Sequence, residues 1–245
     1  MKRFILFLFC AGALAAADGD PVGRMLNEKL TAAQRNNACF ELRGNRSHEA
    51  IAAMRGVLAS DVVRACAARN LREAGAVGEL LSALVAPEPE VRSVAAREIG
   101  SFEKPELIDV LVKAAHDPNV LVATNAVMGL GQYHDRAVLP KLLDLAAGGG
   151  AVGVAALTRA AQFDEPAGLP VARRQLLGKD PAGKLIALLI VGDCGDSSDL
   201  PRLREMAAKS ETVGTRGRGF GLMPALDISR AAKNAIGGIE KRQHS

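Results

Sequence analysis

Apolar residues along this 245-residue chain return on two superposed beats. The short beat is helical: Leu107, Ile108, Leu111, Val112 and Ala115 fall three and four apart and would line one face of an α-helix. The long beat is a column of bulky residues, Phe40, Leu71, Phe102, Tyr133, Phe163 and Cys194, spaced 31, 31, 31, 30 and 31 apart. A second column, Val77, Ile108, Leu139, Leu169 and Leu200, lies six residues further on and keeps the same beat. Two columns in phase predict an array of one building block. A unit of about thirty residues cannot bury its apolar stripe alone, so neighbours must stack on one another.

Each period predicts two short helices. The first follows a turn, EKPE, HDRA, DEPA or DSSD, whose acidic residues and Pro suit a helix N-terminus. A break comes next, PEPE at 87–90, DPN at 117–119, GGG at 148–150 and KDPAG at 179–183. The second helix is Ala-rich, and the Gly or Ala near its end is expected to let the chain turn into the next unit. Residues 18–45 are more polar, with Asn37 where Ile99 stands two periods later, and predict an N-terminal capping helix. The fold class expected is all-α: a right-handed α-solenoid of about six antiparallel helix pairs over residues 46–245.

EPEVRSVAAREIG (88–100) and DISRAAKNAIGGI (227–239) resemble the D-P-x-V-R-x-x-A-A-x-A-L-G signature of HEAT-like repeats of the phycobilisome-lyase type. DPNVLVATNAVMGLG (117–131) is similar but lacks the Arg and carries two extra residues. The resemblance covers roughly 46–240, nearly all of the chain after its first segment. It implies stacked helix pairs whose second helices line the inner side. On that implication the outer positions Arg92, Arg97, Thr124, Met128 and Thr158 are candidate partner contacts.

The pattern breaks twice. Between Cys194 and Ile239 there are 45 residues instead of 31, an insertion over about 210–224 with the text SETVGTRGRGFGLMP. Insertions in repeated scaffolds often carry function, which adds Arg216, Arg218 and Phe220 to the candidate contacts; a tolerated surface loop is the alternative. In KLIALLIVG, all seven residues from Leu185 to Val191 are apolar, more than one buried stripe needs. Either Phe220, Leu222 and Met223 fold over Leu185 and Leu189, or the face is open to a partner.

Composition adds a destination. MKRFILFLFCAGALAAA has two cations, an apolar run and small residues at Ala13, Ala15 and Ala17, the layout of a signal peptide over residues 1–17. An exported chain, periplasmic or extracellular and bacterial in style, is therefore expected, with no integral membrane span after leader removal. Loss of Lys2 and Arg3 brings the formal charge from +4 to +2, too little to expect nucleic-acid binding. Removing the leader also removes Cys10 and leaves Cys39, Cys66 and Cys194. Column registration sets Cys66 opposite Arg35 with Cys39 one turn on, which weighs against a bond between them, and Cys194 reads as a buried small hydrophobe.

His48-Glu49 resembles the His-Glu pairs of the HEAT-repeat hydroxylase acting on deoxyhypusine, but that family needs several such pairs and this chain has one. No nucleophile motif, phosphate loop or CxxC stands in the chain. The expectation is therefore no catalytic residue, no metal, no cofactor and no enzyme. What remains is a scaffold or adaptor for a protein partner in the cell envelope. An accessory or regulatory subunit of an envelope enzyme or sensor complex is the alternative, and a structural spacer without a ligand is the third.

Overall fold

The computed structural model describes residues 19–163, 166–209, 212–213 and 226–244. The leader, Arg216, Arg218, Phe220 and the proposed cover from Phe220, Leu222 and Met223 lie outside the described residues. The chain divides into two compact units, residues 1–83 and 84–245.

The first unit holds α1 (Pro21–Leu26), α2 (Ala32–Glu41), α3 (His48–Gly56), α4 (Arg64–Glu73) and α5 (Val77–Ala83). Two helices thus stand where the sequence predicts one capping helix. Their boundary is local chemistry. Asp20 caps α1 ahead of Pro21, and Thr31 with Gln34 forms a reciprocal capping box that starts α2 afresh. α1 packs on α2 and α3, and α2 packs on α4. Cys39 and Cys66 are joined by a disulfide across that last contact, with Cα atoms 6.3 Å apart. The expectation from column registration is corrected here. An offset of one helical turn between packed helices still falls within bonding reach. The buried Asn70 Nδ2 donates to the Cys39 carbonyl at 2.6 Å and completes the joint.

The second unit begins with α6 (Pro89–Gly100) and continues with α7 (Ile108–Ala114), α8 (Val120–Leu130), α9 (Val138–Ala147) and α10 (Gly150–Phe163). It ends with α11 (Leu169–Gln175), α12 (Pro181–Cys194), α13 (Leu200–Ala208) and α14 (Ile228–Gln243). The fold is all-α, as the periodicity predicts. The turns before α7, α11 and α13 are short 3₁₀ turns at Pro105–Leu107, Pro166–Gly168 and Ser197–Asp199. A two-residue antiparallel pairing, Thr212 with Asp227 and Val213 with Leu226, sits at the base of the insertion. Each first helix packs on its own second helix, α7 on α8, α9 on α10, α11 on α12 and α13 on α14. Second helices then pack in succession, α6 on α8, α8 on α10, α10 on α12 and α12 on α14. Ile99, Leu111, Leu130, Leu142, Leu157, Leu188 and Ile190 are sealed inside. Each contributes about 1.5–3 kcal/mol of burial.

The second helices approach closely because of glycine. Gly100 and Gly129 lie inside the helical segments, and a Cβ on Gly129 would stand 2.7 Å from the Ala96 carbonyl oxygen of α6. The sequence expectation that these end-of-helix residues serve the turn is corrected at this contact: neither has a positive φ. Gly75, at φ 78 just beyond α4, does serve a turn.

Two arginines, Arg92 and Arg173, make bidentate ion pairs in the second unit. Arg92 Nε and Nη2 reach Asp117 at 2.8 and 3.0 Å. Arg173 reaches Asp199 at 2.9 and 2.8 Å and Asp196 at 2.9 Å. Hydrogen bonds from Arg92 hold Asp117 below the ordinary carboxylate range. Ser198 first, and Arg173 after it, hold Asp196 at about 2. A carboxylate whose pKa is lowered on folding adds stability that is complete above its unfolded value, about 4, and is lost as pH falls through the folded value. The thermal midpoint is therefore expected to hold from neutrality to about pH 4 and to fall below it. Arg92→Met should start lower at neutral pH and fall less steeply in acid. Parallel curves for the two proteins would show that the pair adds no pH-dependent stability.

Candidate functional site

Charge is distributed unevenly between the two helices of three pairs in the second unit, α7 with α8, α9 with α10 and α11 with α12, whereas α14 is charged like α13, with Arg230, Lys233, Glu240, Lys241 and Arg242. The first helices are rich in it: Asp109 and Lys113 in α7, Lys141 and Asp144 in α9, Arg173 and Arg174 in α11, and Arg202, Arg204 and Glu205 in α13. The longer second helices α8, α10 and α12 carry only Arg159, Lys184 and Asp193 among them. The chain as a whole is 24% charged, so this layer is depleted. Its accessible positions are instead neutral. Thr124, Asn125 and Met128 of α8, Val154, Ala155 and Thr158 of α10, and Leu185 and Ile186 of α12 are half-buried. Val120 and Leu121 are 57% and 52% exposed, and Leu189 is 61% exposed. The exposure of Leu189 answers the periodicity puzzle of α12: Ala187, Leu188, Ile190 and Val191 are buried, while Leu189 lies on the open side of the helix.

Side-chain bonds fix the polar part of this face at the repeat spacing. Asn125 Nδ2 donates to Ser93 Oγ at 2.6 Å, and Gln132 Nε2 donates to the Arg97 carbonyl at 3.2 Å while accepting from the Ser101 hydroxyl. Arg159 Nη2 rests on the Met128 sulfur at 2.9 Å, and its Nη1 donates to Gln162 Oε1 at 3.0 Å. Each of these holds one second helix to the next or locks a side chain on the face.

The sequence-predicted contacts divide accordingly. Arg97 is exposed, and Met128 stands half-buried on the face. Thr124 and Thr158 also stand there, but their hydroxyls donate back to the Val120 and Val154 carbonyls at 2.8 Å, which leaves mainly their methyl groups to offer. Arg92 is occupied by Asp117 and by the Ala86 and Pro87 carbonyls, so its guanidinium braces the scaffold. Sequence reasoning missed Arg159. The period shortens to 30 at Phe163, so counting from that column selects Thr158; the structure keeps the 31-residue step from Met128 and brings Arg159 to it.

Other candidates are less convergent. A cleft of about 590 Å³ in the first unit is lined by Leu26, Glu28, Arg35, Val57, Ser60 and Asp61, with the Arg35 Nε committed to the Met25 carbonyl at 3.0 Å. A second cleft of about 350 Å³ runs beside Gln132, Tyr133, His134, Arg136, Gln162 and Phe163. Burial pushes the Tyr133 phenol up to about 12, helped by the charges of Glu106 and Glu103, and its hydroxyl donates to the Lys104 carbonyl at 3.0 Å. His134 Nδ1 meets Glu103 at 2.7 Å and holds that carboxylate below its ordinary range. His48 and Glu49 are exposed at the start of α3. Among the described residues no three His, Cys, Asp or Glu side chains gather as a metal site. Cys194 is half-buried, more open than a core hydrophobe would be.

The helix pairs, the glycine contact between second helices and the stacked second-helix layer describe a repeat family. The family model for HEAT repeats matches residues 77–152. Residues 77–152 thus carry HEAT-like repeats. No curated protein matches the chain in sequence. Among solved structures, the chain is similar to human deoxyhypusine hydroxylase in complex with glycerol, at 17% identity over 90% of this chain and 95% of that one, with a TM-score of 0.39. It is similar also to the complex of CpcE and CpcF of phycocyanin lyase from Nostoc sp. PCC7120, at 20% identity over 91% and 86%, with a TM-score of 0.42. Both neighbours carry enzyme names, a hydroxylase and a lyase. The expectation that the chain is no enzyme is corrected by that finding, since it took the helix-pair array as a sign of binding without chemistry.

Proposed function

We propose that this HEAT-like chain is an exported scaffold that holds a protein partner on the face of its second helices. One observation carries the reading: across α8, α10 and α12 the accessible side chains are mostly apolar or uncharged, Met128 among them, with Arg159, Lys184 and Asp193 the charged exceptions. Interface cores between proteins are depleted in Lys, Glu and Asp and enriched in Met and Arg. Phosphate or nucleic-acid surfaces demand the opposite. Export is supported by the cation, apolar and small-residue order of residues 1–17 and by the Cys39–Cys66 disulfide, a bond that persists in oxidising compartments. Contacts from Arg216, Arg218 and Phe220 belong to the same proposal.

The test is capture in the native envelope. The tagged protein is cross-linked, purified and compared with a Leu121→Asp, Met128→Glu double variant shown to melt at the same temperature. A partner at stable stoichiometry, lost by the variant, is expected; retention by the variant would move binding off this face. The mass of the recovered N-terminus checks export, with cleavage expected after Ala15 or Ala17.

A further inference from the structure

The cleft of about 590 Å³ in the first unit is lined from the end of α1, from α2 and from the link between α3 and α4. Arginines brace these walls. Arg64 Nε and Nη2 donate to the Leu58 and Ala59 carbonyls at 2.8 Å, and Arg35 Nε donates to the Met25 carbonyl at 3.0 Å. The Cys39–Cys66 bond ties α2 to α4 one turn after Arg35 and five residues after Asp61, so it fixes the two walls relative to each other.

Three ionisable side chains line the cleft, Glu28, Arg35 and Asp61. Among the described residues no ion pair engages any of them, and the Arg35 guanidinium is bonded through its Nε alone. Arg92 supplies the contrast. It too donates to carbonyls of the turn ahead of it, and it goes on to grip Asp117 in a turn 25 residues later. Asp61 stands 26 residues after Arg35, in the turn after α3 and on the same cleft, and the grip is not made. The opening thus holds one guanidinium and two carboxylates that no protein group neutralises. Leu26, which is 45% exposed, and Val57 add apolar surface to it.

We propose that this cleft binds a small molecule with two cationic groups and one carboxylate on an aliphatic chain, the chemistry of a basic amino acid. Arg35 Nη1 and Nη2 take the carboxylate through a two-bond fork. Glu28 and Asp61 take the two cations, and the methylenes lie against Leu26 and Val57. The count of charges selects this class: a dicarboxylate would meet two like charges, and an uncharged apolar ligand would desolvate Glu28 and Asp61 without a partner. The volume falls within the range of small-molecule sites, about 300–1,000 Å³. The site lies in the other unit from the second-helix face and does not depend on the scaffold reading.

Titration calorimetry of the full, disulfide-bonded protein tests the proposal with three probes: L-lysine, cadaverine, which lacks the carboxylate, and norleucine, which lacks the side-chain cation. Saturable one-to-one binding of lysine is expected, with each analogue about fivefold weaker or more, the contribution of one partly exposed ion pair. The Asp61 side chain is exposed and unbonded, so Asp61→Asn keeps the fold, checked by thermal melting, and should weaken lysine by a similar factor. Arg35→Gln should weaken lysine but not cadaverine, a split that general loosening of the cleft would not produce. No saturable binding of lysine, cadaverine binding as tightly as lysine, or unchanged lysine binding by Asp61→Asn overturns the proposal. If lysine does not bind and Asp61→Asn lowers the thermal midpoint, Arg35 and Asp61 close on each other and the cleft is a brace. Leu121→Asp, Met128→Glu should bind lysine as the native chain does; loss of binding there would place the site outside the first unit and overturn the proposal as well.

Discussion

Replacing Cys39 and Cys66 by serine is expected to lower the stability of the first unit by about 3.5 kcal/mol, the loop-closure entropy of a crosslink across this separation. The bridge spans 27 positions and ties α2, in the polar N-terminal region, to α4. Few other bonds do that. Arg43 meets Glu73 at 2.8 Å, but the Arg43 side chain is 72% exposed, and such pairs contribute about 0–1 kcal/mol. Asn70 adds a buried hydrogen bond to the Cys39 carbonyl, about 1 kcal/mol net. Without the crosslink α1 and α2 should open locally. Hydrogen exchange followed by mass spectrometry should show amides of residues 21–41 exchanging at least a hundredfold faster, with α8 and α10 unchanged. Reductant should reproduce the effect in the native chain, and Cys194→Ser should not. Unaltered exchange in α2 would mean that packing alone holds the cap.

The array was legible from the sequence because its cause is local and repeated. Leu71, Tyr133 and Ile108 are buried where the columns place them, while Phe40, at the start of the first column, is 55% exposed. What escapes the columns depends on offsets between helices. Cys39 and Cys66 stand in different register positions and still meet, because α2 lies along α4 with a shift of one turn. Arg159 escapes because one period is a residue short. Arg92 reads as free in the sequence because its partner, Asp117, stands 25 residues away in a turn. The neutral second-helix face was legible in part: the excess of apolar residues in KLIALLIVG signals that Leu189 needs explaining, and the structure answers that it is exposed.

Gly100→Ala is the sharpest probe of the second-helix layer, because two effects of known sign compete there. In an exposed helix interior the change from glycine to alanine stabilises by about 1 kcal/mol through helix propensity. At Gly100 the added methyl would overlap the backbone of Gly129, whose atoms cannot rotate away as a side chain tip can. The helices must part, and overpacking of this kind costs about 1–3 kcal/mol or more. The clash wins, so net destabilisation of about 1–2 kcal/mol is expected. Separation of α6 from α8 would also lengthen the Asn125 to Ser93 and Gln132 to Ser101 bonds, so the second-helix face should loosen together with the core. Gly237→Ala is the matched control: it lies in α14, a methyl added there would meet nothing within 4 Å, and the propensity gain of the helix should appear undiminished. Opposite signs for the two variants in urea unfolding would tie the glycines of this repeat to helix contact. Stabilisation by both would mean that α6 and α8 have room to spare, and the close second-helix layer would have to be given up.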